Sequence, residues 1–186
     1  MKTLPDYLGP GLDIVSIGIN PSVYSVERGF NFARPGNRFW PALNASGLIS
    51  EPLEPSRGAV RRIFRLHRIG FTDLVKRATA RAEDLAPVDY ALGARRLERK
   101  LRRHRPAIAW FQGISAYRIF LEHLGTPRKR IAPGLQRERI GATRIFVTPN
   151  PSGANPAANL DKLVPLYRRL ARLRRSLVVR EAGIGS

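Results

Sequence analysis

At 186 residues the chain is long enough for one domain with a sizeable core and short of what two usually need. The lack of cysteine excludes a disulfide framework, thiol nucleophiles and thiolate metal sites, and the three scattered histidines, His67, His104 and His123, have no ligand spacing, so no metal centre is expected. Lys and Arg number 33 against 14 Asp and Glu, a net +19 carried mostly by Arg, which makes nucleic acid the expected partner; the alternative is an Arg-rich proteome that places Arg on solvated faces.

No apolar run approaches the roughly 20 residues that cross a bilayer. The N-terminal stretch meets Pro5, Asp6 and Pro10 before any apolar run begins, unlike a secretory signal, so a cytoplasmic location without membrane contact is expected.

In chain order, an apolar run from Asp13 to Ile19 predicts a first buried strand. It leads into GINPSVYSVERGFNFARPGNRFWP at 18–41, unusually rich in aromatic and amide side chains. A helix is predicted from Arg38 to Leu48, with Asn37 as a good N-cap, Pro41 tolerated in the first turn, and Phe39 and Trp40 in the core. Phe30 and Phe32 lie in a Gly-flanked loop without periodicity, so at least one, preferentially Phe32, is a candidate platform for stacking a base.

The Pro-rich stretch 51–58 reads as a loop, followed by a helix from Ala59 to His67, a strand from Gly70 to Val75 and a helix from Ala91 to His104. In that last helix Leu97 and Leu101 share one face, while Arg95, Arg96, Arg99, Arg102 and Arg103 cover the rest, a solvated face by default. A strand from Ala107 to Gln112, a helix from Ser115 to Leu124, a strand from Arg144 to Thr148 and a helix from Leu160 to Leu173 complete the pattern. The last helix has Leu163, Leu166, Tyr167, Leu170 and Leu173 at core spacing, and 181–186 reads as a frayed tail.

Strands alternating with helices imply an α/β fold with a parallel sheet covered on both faces, and such sheets bind ligands beyond the carboxyl ends of their strands. That rule selects the segments from Asn20, Asp73, Gln112 and Asn150 onward. Asn-Pro-Ser occurs twice, at 20–22 and 150–152, each time at a predicted strand end. A residue before proline is held extended, and an amide can read a base edge or hold a water. Against this stands the plain reading of both copies as turn formers.

GINPS with FNFARPGNRFWP, then GFTDLVKRAT at 70–79, then TPNPSG at 148–153, and a closing LVVR at 177–180, resembles the mismatch-specific uracil-DNA glycosylases, the G:U and thymine-DNA glycosylase branch of the uracil-DNA glycosylase superfamily. The likeness extends in order from about Pro10 to Arg180. It implies a single α/β domain, residues 1–186, with a central four-stranded parallel sheet flanked by helices, no cofactor and no metal. It also implies a monofunctional hydrolase in base excision repair that flips uracil, or another mismatched base, out of double-stranded DNA and leaves an abasic site. A monomer suffices for that reaction.

On this resemblance Asn20 falls on the position that orients the attacking water, Phe32 on the stacking residue, and Ser25 on a pocket-lining position. Backbone groups near Gly18, Ile19 and Phe32 would read the pyrimidine edge, and Asn150 would join the substrate pocket. Asp73 departs from the residue often found there; at a strand end beside the same cleft it is a candidate general base or stabiliser of the oxocarbenium ion, or else a helix cap or ion-pair partner of Lys76 or Arg77. The loop of Ser152, Gly153, Ala154 and Asn155 would enter the duplex. Ala154 stands where the family carries a bulky leucine wedge, and no Arg follows before Arg168, so strict preference for guanine opposite the base is not expected. Asn155 could donate to the orphaned base.

Two rival readings remain open on the residues: a nucleic-acid-binding module that keeps the pocket without catalysis, and an enzyme acting on a free nucleotide or nucleoside.

Overall fold

The computed structural model describes residues 3–183, with side chains given as far as Val178. Five strands, β1 (Ile14–Gly18), β2 (Ile69–Asp73), β3 (Ile108–Gln112), β4 (Gly134–Ile140) and β5 (Thr143–Thr148), form one sheet in the order β2-β1-β3-β5-β4. The first, second, third and fifth are mutually parallel where they pair, and they are the four strands expected from the apolar runs.

β4 corrects the expected four-stranded sheet. It pairs antiparallel with β5 across the tight turn at Gly141 and Ala142, Gly141 having a φ of 60°. Its sequence, GLQRERI, offers no continuous apolar run because it is an edge strand with charged side chains turned to solvent.

Along the central strands alternate residues enter opposite cores. Ile14, Ile108, Trp110 and Phe146 face α2 (Phe39–Asn44), α3 (Arg57–His67) and α6 (Leu160–Gly183), whereas Val15, Ile17, Ala109, Phe111 and Val147 face α4 (Pro87–His104) and α5 (Ile114–His123). The result is three layers, helices on both faces of the sheet, as expected. Leu97 and Leu101 are buried with the five named arginines of α4 exposed, and Leu163, Tyr167 and Leu170 are buried in α6.

Phe39 and Trp40 are core residues of α2, and Asn37 caps that helix from one position further out, its Oδ1 accepting from the Phe39 amide at 2.9 Å. The loop after β1 contains a helix missing from the sequence reading, α1 (Val23–Arg28). Six residues are too few to show a period; the signals are Ser22, whose Oγ accepts from the Ser25 amide at 3.1 Å, and Gly29, left-handed at the other end. α6 continues past its expected end at Leu173 into the segment where a tail was expected; residues 184–186 and the Arg180 side chain lie outside the described residues.

The chain passes from β1 leftward to β2 and then to β3 on the other side of β1. The sheet therefore reverses its order between β1 and β3, and the carboxyl ends of those strands open a crevice.

Candidate active site

A cleft of about 740 Å³ opens at this switch point. Gly18, Ile19, Asn20, Ser25, Phe32, Asp73, Asn150, Ser152, Ala154 and Asn155, all expected from the sequence, line it; Gly153 does not.

Asn20 follows the end of β1 and its orientation is fixed by the segment after β2. Its Nδ2 donates to Thr79 Oγ1 at 2.7 Å and to the Arg77 carbonyl at 3.0 Å. The Asn20 loop is held to that segment by the Thr79 amide on Pro21 O and the Val23 amide on Thr79 O. With its donors engaged, Asn20 offers its Oδ1 as the acceptor for a ligand, and no described residue donates to that atom.

Asp73 ends β2 directly opposite Gly18, and the Leu74 amide continues the ladder by donating to Gly18 O at 2.8 Å. Glycine at 18 leaves room for this carboxylate: a Cβ there would lie 2.7 Å from Asp73 Oδ1 and displace it. Asp73 is 5% exposed and no donor reaches its Oδ2. Burial pushes its carboxyl up to about 6; Lys76, with Nζ 3.6 Å from Oδ2, offsets this only partly. Arg77, the other partner considered for it, pairs instead with Asp89 at 2.6 Å.

Phe32 lies flat on Phe39, ring centroids 4.0 Å apart at 17°, so one face of its ring is covered. Its φ of 57° is unusual for a residue with a bulky side chain, and the conformation is braced by Trp40 Nε1, which donates to Phe32 O at 3.2 Å. Ser25 Oγ accepts from the Ala33 amide at 3.4 Å, tying α1 to the same loop. Phe30 packs edge-on against Trp40 and stays out of the cleft.

The 150–155 loop is folded on itself and on the loop before α2. Asn150 Oδ1 accepts from the Ser152 amide at 3.0 Å, and Asn155 Nδ2 donates to Asn150 O at 2.9 Å, so one of the donors expected to be free in Asn155 is already in use. The Arg38 amide donates to Pro151 O at 2.9 Å, and its Nη1 to Ser152 O at 2.9 Å and Asn155 O at 3.1 Å. Gly153 nearly touches the other loop: a Cβ there would meet Gly36 O at 2.8 Å.

Asn31 and Leu4 escaped the sequence reading, whereas Gln112 opens a segment that the sequence selects. Asn31 is buried with an unpartnered Oδ1; Gln112, at the end of β3, is held by Tyr167, Thr148 and Ser16; Leu4 arrives from the N-terminal arm. Asn31 sat in view within FNF, but nothing local separates an amide that turns inward from one in a solvated turn. Arg34 and Arg81 are exposed on the cleft wall, so arginine reaches the site from distant parts of the chain, whereas Arg168 donates to Ala45 O away from it.

The model of the uracil DNA glycosylase superfamily matches residues 5–173. A solution NMR structure of a candidate uracil DNA glycosylase from Methanosarcina acetivorans is similar with a TM-score of 0.57 and 20% identity, over 91% of this chain and 97% of that one, a likeness of fold.

Proposed function

Because the chain belongs to the uracil DNA glycosylase superfamily, we propose that it excises uracil, and thymine or other damaged bases in mismatches, from double-stranded DNA as a monofunctional enzyme of the mismatch-specific branch. The observation that carries this reading is the meeting, in one cleft, of an oriented amide (Asn20), a buried carboxylate (Asp73) and a stacking ring (Phe32).

A base inside a duplex must be extruded at a cost of a few kcal/mol, least when it is mispaired. The uncovered face of Phe32 receives the flipped base, backbone groups of Ile19 and Phe32 read its edge, and Ser25 and Asn150 complete the walls. The orphaned Oδ1 of Asn31 suits a ligand that presents an N–H, as uracil and thymine do at N3. The loop from Ser152 to Asn155 occupies the duplex from which the base departs.

In the reaction the C1′–N1 bond breaks and its electron pair leaves with the base as an anion, which backbone donors and the positive field stabilise. Water, held by Asn20 Oδ1, adds to C1′ and gives its proton to the Asp73 carboxylate. With a carboxyl at about 6, Asp73 is ionised and able to accept that proton at neutral pH, and loses this capacity below pH 6. The small Ala154 and the lack of an arginine within the loop favour acceptance of bases opposite partners other than guanine.

Single-turnover base release from G:U, A:U, G:T and single-stranded U tests this. Asn20→Ala is expected to lower release on the order of 100-fold while DNA binding persists, and Asp73→Asn to remove the acid limb near pH 6. Release from G:U alone, indifferent to Asp73→Asn, would narrow the specificity and remove the carboxylate. No release from any substrate would leave a DNA-binding module.

A further inference from the structure

The segment from Thr3 to Tyr7 runs along the edge of β2, next to Asp73. The amide and carbonyl of Tyr7 exchange hydrogen bonds with Phe71 at 2.9 and 3.1 Å, adding a short antiparallel bridge to β2. Leu4, 2% exposed, lines the cleft. Thr3 Oγ1 donates to Lys76 O at 2.6 Å.

Asp6 lies between these contacts and gathers the nearby cations. Its Oδ1 accepts from Lys76 Nζ at 2.9 Å and from Thr72 Oγ1 at 2.8 Å, and its Oδ2 pairs with Lys100 Nζ at 2.7 Å. The same Lys76 ammonium is 3.6 Å from Asp73 Oδ2, which has no hydrogen-bond donor at all. Lys76 thus stands between two carboxylates and is bonded to the outer one. A displacement of less than about 1 Å would bring it to hydrogen-bond distance from Asp73.

We propose that Asp6 is a positioning residue for the candidate catalytic carboxylate: by holding Lys76, and Lys100 with it, the N-terminal arm keeps the ammonium from closing on Asp73, so that Asp73 stays free to receive a proton. The inference rests on the reading of Asp73 as general base.

The charged groups facing Asp73 are Asp6 from the arm, Lys76 from the segment after β2 and Lys100 from α4; β1 brings Gly18, the loop after it the uncharged Asn20, and Arg81, Glu83 and Arg34 line the cleft wall. With Asp6 present, two lysines face two carboxylates. Without it, two ammonium groups have only the buried carboxylate to neutralise them. Both the approach of Lys76 and the loss of the neighbouring anion favour the ionised form of Asp73 and weaken it as a base.

The test is a carboxyl-carbon NMR titration of Asp73 in the full chain, beside the pH profile of single-turnover release from G:U, in Asp6→Asn, Lys76→Gln and the double variant. Asp6→Asn, which keeps an acceptor for Thr72, is expected to move the Asp73 titration and the acid limb down by about one pH unit. Lys76→Gln should move both up, and the double variant should fall between them. A purely structural role for the arm does not produce shifts of opposite sign. An unmoved titration in Asp6→Asn, or in Lys76→Gln should the first variant not fold, overturns the proposal. Titrations that move as expected while base release ignores them would keep the control of Asp73 by the arm and remove Asp73 from the proton transfer.

Discussion

At Gly18 the space for a side chain is already taken by Asp73, whose Oδ1 would be 2.7 Å from a new Cβ. Gly18→Ala is therefore expected to push the buried carboxylate off its position, with about 1–3 kcal/mol lost from stability and base release lowered about 10-fold or more, as thermal melts and single-turnover assays would register. Asp73 itself carries a cost in stability. Its folded carboxyl, raised to about 6 from 3.8 by burial, holds its proton more tightly than in the unfolded chain. Its stabilising contribution is complete below pH 3.8 and is lost as pH rises through about 6, on the order of 3 kcal/mol in all. Asp73→Asn should accordingly be more stable than the parent at pH 7, with the advantage vanishing near pH 4, while base release falls; denaturant titrations at the two pH values would decide. A residue whose removal stabilises the fold while harming activity bears the mark of a functional group.

Two loops form the mouth of the cleft, and Arg38 joins them through its backbone and its guanidinium. Arg38→Ala removes two hydrogen bonds to Ser152 and Asn155, so amide exchange across 152–158 should accelerate about 10-fold with helix content unchanged, as hydrogen-exchange mass spectrometry would show. This junction was not legible in the sequence, where Arg38 and Ser152 are more than a hundred positions apart. The strands that place the site were legible, because IVSIG, IGFTD, IAWFQ and TRIFVT are buried between two helix layers and read as continuous apolar runs. β4 was hidden by its charged alternation, and α1 by its brevity. Asn20 and Phe32 stood out from their motifs, yet the anchors that aim them, Thr79 and Trp40, emerged only with the fold. Arg34 and Arg81 illustrate the same limit: the loop after β5 lacks arginine, and tertiary structure brings it from elsewhere.

For the molecule as a whole, the net charge of +19 sets how it meets an anionic polymer. Affinity for undamaged duplex should fall linearly on a log–log plot against salt, and charge removal at Arg34 and Arg81 should flatten that slope by about one each if both grip phosphates. Fluorescence anisotropy over 50–200 mM salt would measure it; an unchanged slope would place the phosphate contacts elsewhere on the surface. Arg174 Nη2 reaches Asp13 Oδ2 at 2.8 Å and donates to His67 O, while its Nη1 donates to Leu48 O, tying the last helix to the start of the first strand. α6 also supplies Leu163, Tyr167 and Leu170 to the layer that covers Ile14, Phe39 and Trp110. On a ribosome those central residues are therefore synthesised long before α6, and the layer over them stays incomplete until that helix has been made.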